Sequence, residues 1–305
     1  MLKVLKNKRA TGTALVMMSS LGFSIGPTLA KYAYDAGTNA LGVMTIRFTI
    51  ASLFMLIIRQ IVTRGESMPS LPLLLEMFAV GAIGITIVSF TYFLAIEDMD
   101  TGLAIVIWYC NPLVVVFISW IIYKKRPTRN IVISLFFSIT GIAITTGQVK
   151  SGSSGAITLI FVSAFLFAFY LLGLSRTLKK TDVLTGVTFI NIGAMLGYWL
   201  ICATLPFDLT VEFPTNAKSW LYISAFALFG TVVPFMFSFA GMNRVGPSML
   251  SVITTIEPVL AIMMGIIFLS EPITTPRVVG AIFVIGALIA LTTLESRDEA
   301  ALKRL

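Results

Sequence analysis

Ten long apolar stretches dominate this chain and limit what it can fold into. They cover residues 11–30, 39–58, 77–96, 101–123, 131–149, 156–175, 183–205, 219–242, 245–270 and 278–294. An α-helix needs roughly 20 predominantly apolar residues to cross the hydrocarbon layer of a bilayer. The runs are continuous, whereas the strands of a membrane β-barrel alternate between apolar and polar residues. The sequence therefore predicts an all-α membrane protein with ten transmembrane helices.

The charge distribution predicts the orientation of these helices. Lys and Arg number 22 against 14 Asp and Glu, a net charge of +8 that in a soluble protein would suggest nucleic-acid binding. Counted over alternate loops, 17 of these cations lie on the side of the amino terminus and four on the other. Because Lys and Arg resist translocation, both termini are predicted to be cytoplasmic. The positive charge is thus explained by topology, and the expected partner is the lipid bilayer, with no nucleic acid.

The two halves of the chain resemble each other, which predicts repeats over residues 11–149 and 156–294. The aligned positions are Arg47 with Asn191, Thr86 with Thr231, Asn111-Pro112 with Glu257-Pro258, and Gly141 with Gly286. Each repeat holds five predicted helices, an odd number, so the second copy must be inverted relative to the first. Inverted repeats are typical of alternating-access carriers, whose substrate site lies near the bilayer midplane.

Two charged residues, Arg47 and Glu257, lie inside the apolar stretches. A carboxylate at that depth is costly and suggests a function. Glu257 is interpreted either as a ligand for substrate or proton, or as a structural carboxylate paired with Arg47 or with backbone donors. Pro258 removes a backbone donor and leaves a carbonyl free one turn earlier. Arg47 either anchors a substrate carboxylate or phosphate, moves its charge to the interface, or pairs with Glu257.

Helices four and nine supply further candidates for substrate binding. Trp108 and Asn111 are three residues apart and share a helix face, and Thr254 and Glu257 do the same. A two-fold axis in the membrane plane would bring these four residues together near the bilayer centre. For Trp108, packing against lipid or core is an equal alternative.

Other polar and aromatic residues favour packing roles. Tyr92 and Tyr109 are weaker substrate-binding candidates and fit the protein core as well. Ser20 and Ser24 share a face of helix one and are interpreted as residues that close a helix interface. The motif Gly193-x-x-x-Gly197 is typical of closely packed membrane helices.

Several function classes are disfavoured by what the chain lacks. It has no histidine, which removes His-ligated metals and Ser-His nucleophile pairs. One carboxylate and one guanidinium in the membrane segments are too few for an intramembrane enzyme. No nucleotide-binding loop occurs, so energy is expected from an ion or solute gradient. No cofactor or metal is predicted.

The sequence resembles the drug/metabolite transporter superfamily, in particular its EamA-like branch. The resemblance is carried by the ten stretches, the five-plus-five repeat, and a set of motifs: Arg47-Phe48, Asn111-Pro112, Glu257-Pro258, Glu271-Pro272, Gly280 and Gly286. It implies a secondary carrier in the bacterial inner membrane with both termini cytoplasmic. Many members of the family export amino acids or related metabolites, and others import vitamins or S-adenosylmethionine.

The predicted function is secondary-active transport of a small organic metabolite, an amino acid or an amino-acid-like compound. Arg47 and Glu257 would hold the two ends of a zwitterion, with Trp108 and Tyr109 covering its apolar body. Glu257 would also couple a proton. The alternative is a carrier for a larger solute such as riboflavin or S-adenosylmethionine. A monomer or a homodimer is expected.

Overall fold

The structure is a computed structural model that describes residues 2–63, 68–109, 111, 114, 129–146, 154–177, 180–204, 210–245, 253–254 and 256–302. These residues are mostly helical, with no strand among them. The helices are α1 Leu2–Asp35, α2 Ala40–Val62, α3 Leu71–Ala95, α4 Thr101–Trp108, α5 Arg129–Thr146, α6 Ser154–Thr177, α7 Val183–Thr204, α8 Ala217–Val245, α9 Glu257–Leu269 and α10 Thr275–Leu302. The predicted all-α class is confirmed.

Five helical spans in the described residues are long and apolar enough to cross a membrane. They are Ala10–Asp35, Ala40–Val62, Leu71–Ala95, Val183–Thr204 and Ala217–Val245. Shorter apolar helical segments are Ser154–Tyr170, Glu257–Leu269 and Thr275–Ala287. The chain is therefore an all-α protein with several candidate membrane spans, and the number ten stays a prediction.

The third and fourth predicted helices differ from the helices of the structure. α3 begins at Leu71, six residues before the predicted start, because Pro72 suits a first helical turn and Glu76 is paired with Lys180. A charge therefore interrupts the apolar run without interrupting the helix. The fourth predicted helix, 101–123, is seen as α4 only as far as Trp108. Most of the remainder, including Pro112, lies outside the described residues, as does the basic loop 124–128.

A short π-helical segment lies within α3 and another within α8, at Val80–Ile85 and Leu228–Val232. In α3, the Thr86 hydroxyl donates to the Gly81 carbonyl oxygen at 3.1 Å. In α8, the Thr231 hydroxyl donates to the Phe226 carbonyl oxygen at 3.4 Å. The two threonines are aligned in the sequence repeat, and each hydroxyl bonds the carbonyl five residues before it. The two halves thus share a π-helical segment with a threonine hydrogen bond, a feature that sequence composition does not predict.

Contacts divide the chain into two compact units, each containing segments from both sequence halves. Unit one comprises Met1–Ile25, Asp100–Ser154 and Val233–Leu305, and unit two comprises Gly26–Met99 and Gly155–Val232. Inside unit one, the Ser19 hydroxyl donates to the Pro234 carbonyl oxygen at 2.8 Å. Inside unit two, the Ser163 hydroxyl donates to the Val88 carbonyl oxygen at 2.8 Å. Each unit therefore joins the first helix of one half to the third helix of the other.

In unit two, α7 packs closely against α3 through two glycines. A Cβ atom added to Gly193 would lie 2.5 Å from the Phe78 carbonyl oxygen. One added to Gly197 would lie 2.6 Å from the Thr86 hydroxyl and 2.7 Å from the Ala82 carbonyl oxygen. These distances leave no room for a side chain, so the interpretation of Gly193-x-x-x-Gly197 as a packing motif is confirmed.

In unit one, the Glu271 carboxylate caps the amino-terminal end of α4. It accepts hydrogen bonds from the Thr101 amide and hydroxyl, both at 2.6 Å, and from the Gly102 amide at 3.0 Å. The residue at the usual capping position, Asp100, instead forms an ion pair with Arg277. A carboxylate in this position satisfies free amide groups and interacts favourably with the positive end of the helix dipole.

Glu271→Gln is expected to destabilise the protein by about 2–3 kcal/mol, because an amide nitrogen then faces backbone donors in a buried site. The measurement is thermal unfolding of the purified protein in detergent. Glu76→Gln is the matched control: its ion pair with Lys180 is partly exposed, and loss of such a pair changes stability by less than about 1 kcal/mol. Equal melting temperatures for the two variants would contradict the capping role.

Candidate functional site

Glu257 is the first residue of α9, at a break in the ninth predicted helix. Thr254 is in helical conformation and Ile256 lies in a turn, after which the helix starts at Glu257-Pro258. Proline is favoured in the first turn of a helix, and a carboxylate there interacts with the helix dipole. The break therefore places the half-buried Glu257 side chain at a helix terminus inside an apolar part of the chain.

Three hydroxyl groups of unit one contact Glu257. The Tyr109 hydroxyl donates to its carboxylate at 2.9 Å, and the Ser20 hydroxyl donates to the other carboxylate oxygen at 3.2 Å. The Ser24 hydroxyl lies 3.1 Å from the Glu257 backbone carbonyl oxygen and 2.7 Å from that of Ser20. The described residues give this carboxylate no cationic partner. A carboxylate held by neutral donors retains the ability to bind a proton or a cationic group.

The other unit-one candidates lie close to Tyr109 or Glu257 along the chain. The Trp108 ring is 5.6 Å from the Tyr109 ring in an edge-to-face arrangement. The buried Asn111 amide donates to the Trp108 carbonyl oxygen at 3.0 Å, so that amide serves its own helix. Thr254 is half-buried. The structure thus joins Tyr109 and Glu257 directly, although the sequence indicated Trp108 and Asn111 more strongly than Tyr109.

Arg47 lies in unit two, where its guanidinium is surrounded by phenylalanine rings. Its Cζ atom is 4.0 Å from the ring centre of Phe226, 4.8 Å from that of Phe48 and 5.4 Å from that of Phe93. Its Nε donates to the Thr231 hydroxyl at 2.9 Å, and its Nη1 lies 3.3 Å from the sulfur of Met44. No carboxylate of the described residues pairs with it. The aromatic faces stabilise the cation.

Tyr92 and the acidic turn that follows α3 also belong to unit two. The Tyr92 side chain is buried, and its ring contacts that of Phe93, 5.2 Å away. In the turn, Glu97 accepts a hydrogen bond from the Ala40 amide, and its backbone carbonyl accepts one from the Lys31 ammonium group. Burial raises the pKa of the Glu97 carboxyl, and the Ala40 hydrogen bond opposes that change. Glu97 is therefore part of a hydrogen-bonded turn.

Sequence reasoning missed several residues that contact the two charges. Ser20 was interpreted as an interface residue, and neither Thr231 nor Phe226 was a candidate. A signal for Ser20 existed, because it shares a helix face with Ser24 and the two hydroxyls can act together. For Thr231, a signal was its place in a largely apolar stretch, where it aligns with Thr86 of the other repeat. Nothing in the sequence distinguishes Phe226 from the chain's other phenylalanines.

Comparison with known proteins decides the family. The model of the EamA-like transporter family matches residues 10–147 and, a second time, residues 154–293. The chain belongs to the EamA-like transporter family. It is therefore a multi-pass membrane protein with a transporter role, and the resemblance seen in the sequence is confirmed. The two matched segments together cover most of the chain.

Several curated members of the EamA-like family are similar to the chain. The threonine/homoserine exporter RhtA of Salmonella typhimurium is 24% identical over 95% of this chain and 93% of its own length. The uncharacterized transporter YyaM of Bacillus subtilis is 29% identical over 88% of this chain and 91% of its own. Protein PecM of Dickeya dadantii is 24% identical over 74% and 76%. These relatives support a transporter and leave the solute open.

A solved crystal structure shares the fold of this EamA-like transporter. The similarity has a TM-score of 0.62 and covers 95% of this chain and 99% of the other. The sequences are 15% identical, so the likeness concerns the fold alone.

Proposed function

We propose that this EamA-like transporter is a secondary-active carrier of a small organic metabolite, an amino acid or an amino-acid-like compound. The observation that carries the proposal is the half-buried Arg47 guanidinium, held by Thr231 and three phenylalanine rings without a carboxylate among the described residues. An unneutralised cation in an apolar setting is costly, so a ligand anion is its natural partner. The guanidinium fork matches a carboxylate with two parallel hydrogen bonds.

Glu257 is the proposed partner for positive charge. Its carboxylate accepts hydrogen bonds only from the neutral hydroxyls of Tyr109 and Ser20 in the described part of the chain. Binding an ammonium group or a proton would neutralise it. An amino acid carries both a carboxylate and an amino group, and the name of the relative RhtA, a threonine/homoserine exporter, favours the same class of solute.

Alternating access is proposed from the internal repeat. The family model matches twice, the aligned Thr86 and Thr231 each bond the carbonyl five residues earlier, and Ser19 and Ser163 make similar contacts inside the two units. These observations support ten spans as two inverted five-helix repeats over 11–149 and 156–294. The charge bias of the loops supports cytoplasmic termini, in the bacterial inner membrane. Trp108, Asn111, Thr254, Tyr92 and Tyr109 are kept in this proposal as candidate substrate-binding residues, and a monomer or homodimer is proposed.

Transport by the purified protein in proteoliposomes tests the proposal. The expected result is saturable flux of at least one radiolabelled amino acid from a panel that includes threonine and homoserine, with a change in rate when a pH gradient is imposed. Empty liposomes provide the background. Riboflavin and S-adenosylmethionine are included in the panel to test the alternative of a larger solute. Flux of those compounds without flux of any amino acid would overturn the proposed substrate class.

A further inference from the structure

A second arginine of α2, Arg59, lies deeply buried near the end of that helix. Its side chain contacts α7 and Met68, and the residue is 4% exposed. Its Nε donates to the Thr185 hydroxyl at 2.9 Å, and its Nη1 lies 3.4 Å from the sulfur of Met68. Its Cζ is 5.4 Å from the ring centre of Phe189. All of these contacts lie within unit two.

Arg59 and Arg47 are bound by the same three kinds of group. In each case Nε donates to a threonine hydroxyl, Nη1 contacts a methionine sulfur, and a phenylalanine ring lies close to the guanidinium carbon. None of these groups carries a negative charge. The second nitrogen of the fork, Nη2, donates to no described residue in either case. Both sites therefore leave the guanidinium ready for an anion.

Arg277 shows how the same chain neutralises an arginine that has a structural role. It is also buried, and its fork forms an ion pair with Asp100 and lies 3.8 Å from the Glu271 carboxylate. Its Nη1 also donates to the Pro272 carbonyl oxygen at 2.8 Å. A buried guanidinium without such partners is strongly destabilising. The described residues place no carboxylate beside Arg59, and a packing role alone leaves this difference from Arg277 unexplained.

We propose that Arg59 is a second anion-binding site, which takes the carboxylate of the transported solute at the cytoplasmic end of α2. This inference rests on the proposed function for the solute class and for the orientation of α2. Arg47 and Arg59 are twelve residues apart on one helix, which corresponds to about 18 Å along its axis. In this proposal the two guanidinium groups bind an anionic group at two different depths along α2.

Met68 covers this second site. Its thioether lies against Nη1 of Arg59, yet the residue is 58% exposed. Methionine is unbranched and changes rotamer easily, so its displacement opens the guanidinium to an incoming anion. The site is therefore built from a fixed cation on α2 and a movable cover.

Ligand-dependent thermal stability in a neutral maltoside detergent tests the second site without requiring transport. The probes are sodium acetate and L-threonine, with L-threonine methyl ester, which lacks the carboxylate, and sodium chloride at equal ionic strength as controls. In an Arg47→Gln background, the carboxylates are expected to raise the melting temperature saturably, because ligand binding to the folded state stabilises it. That shift is expected to disappear in Arg47→Gln/Arg59→Gln and to remain in Arg47→Gln/Arg244→Gln, which changes an exposed arginine.

Two further variants separate binding from a purely structural role. Arg59→Lys keeps the charge and is expected to weaken the carboxylate shift, and Met68→Ala is expected to strengthen it by removing the cover. If Arg59→Gln does not fold, these two variants carry the test. No carboxylate shift in Arg47→Gln, or an equal shift for the methyl ester, would overturn the second site while leaving the proposed function intact. Stabilisation by phosphatidylglycerol alone would assign Arg59 to a lipid headgroup and also overturn it.

Discussion

Arg47→Gln is expected to reduce amino-acid flux in proteoliposomes by roughly 10- to 100-fold, because a hydrogen bond to a charged group contributes about 1.5–3 kcal/mol and each 1.4 kcal/mol is a factor of ten. The glutamine side chain keeps a donor that reaches toward Thr231 but lacks the charge that the solute carboxylate requires. The loss should fall on the apparent affinity for the solute, measured as KM for radiolabelled uptake.

Two controls make the Arg47 result specific. Arg47→Lys retains the charge without the planar fork, so it is expected to fall between wild type and Arg47→Gln. Arg244→Gln removes an exposed arginine that bonds only a carbonyl oxygen among the described residues, and should leave flux unchanged. Wild-type KM in Arg47→Gln would contradict the role of Arg47 in holding the solute carboxylate.

Glu257→Gln is expected to abolish flux driven by a pH gradient and to leave part of the solute exchange measured without a gradient. The amide of glutamine still accepts the hydrogen bond from Tyr109, so the local structure is retained, but it binds no proton at ordinary pH. Separate assays of gradient-driven uptake and of counterflow in the same proteoliposomes measure the two activities.

The matched control for Glu257 is Glu76→Gln. Glu76 lies on α3, and its carboxylate accepts hydrogen bonds from Lys180 and Thr177. This variant is expected to respond to the pH gradient as wild type does. Tyr109→Phe removes a donor to Glu257 and should change the pH dependence of uptake without abolishing it. If Glu257→Gln and wild type respond equally to the gradient, Glu257 has no part in proton coupling and is a structural carboxylate.

The helices were predictable from the sequence because a membrane-length helix requires only a continuous apolar run. The limits of α3 were less predictable, since Glu76 interrupts the run while its partner Lys180 stabilises it in the helix. The π-helical segments in α3 and α8 were not predicted. Such segments depend on packing and on which hydroxyl satisfies the displaced carbonyl, and neither is visible in hydropathy.

The candidate site was predictable in its charges and not in its contacts. Arg47 and Glu257 stand out because charged groups are rare in apolar stretches. Their partners do not stand out: Tyr109 is 148 positions from Glu257 in the chain, and Thr231 is 184 from Arg47. Only tertiary packing selects which of many hydroxyls faces a given charge. The sequence emphasised Asn111, whose amide is used by the carbonyl of Trp108.

The cap formed by Glu271 has a mechanical consequence for Glu257. α4 and α9 lie antiparallel, joined near one end by Thr101 and Glu271 and near the other by Tyr109 and Glu257. The two attachment points are about 12 Å apart along α4, given the rise of an α-helix. Two hydrogen-bonded contacts at that spacing resist both sliding and rotation of one helix against the other. The Glu257 carboxylate therefore lies between two helices that are joined near both ends, and we expect these helices to move together.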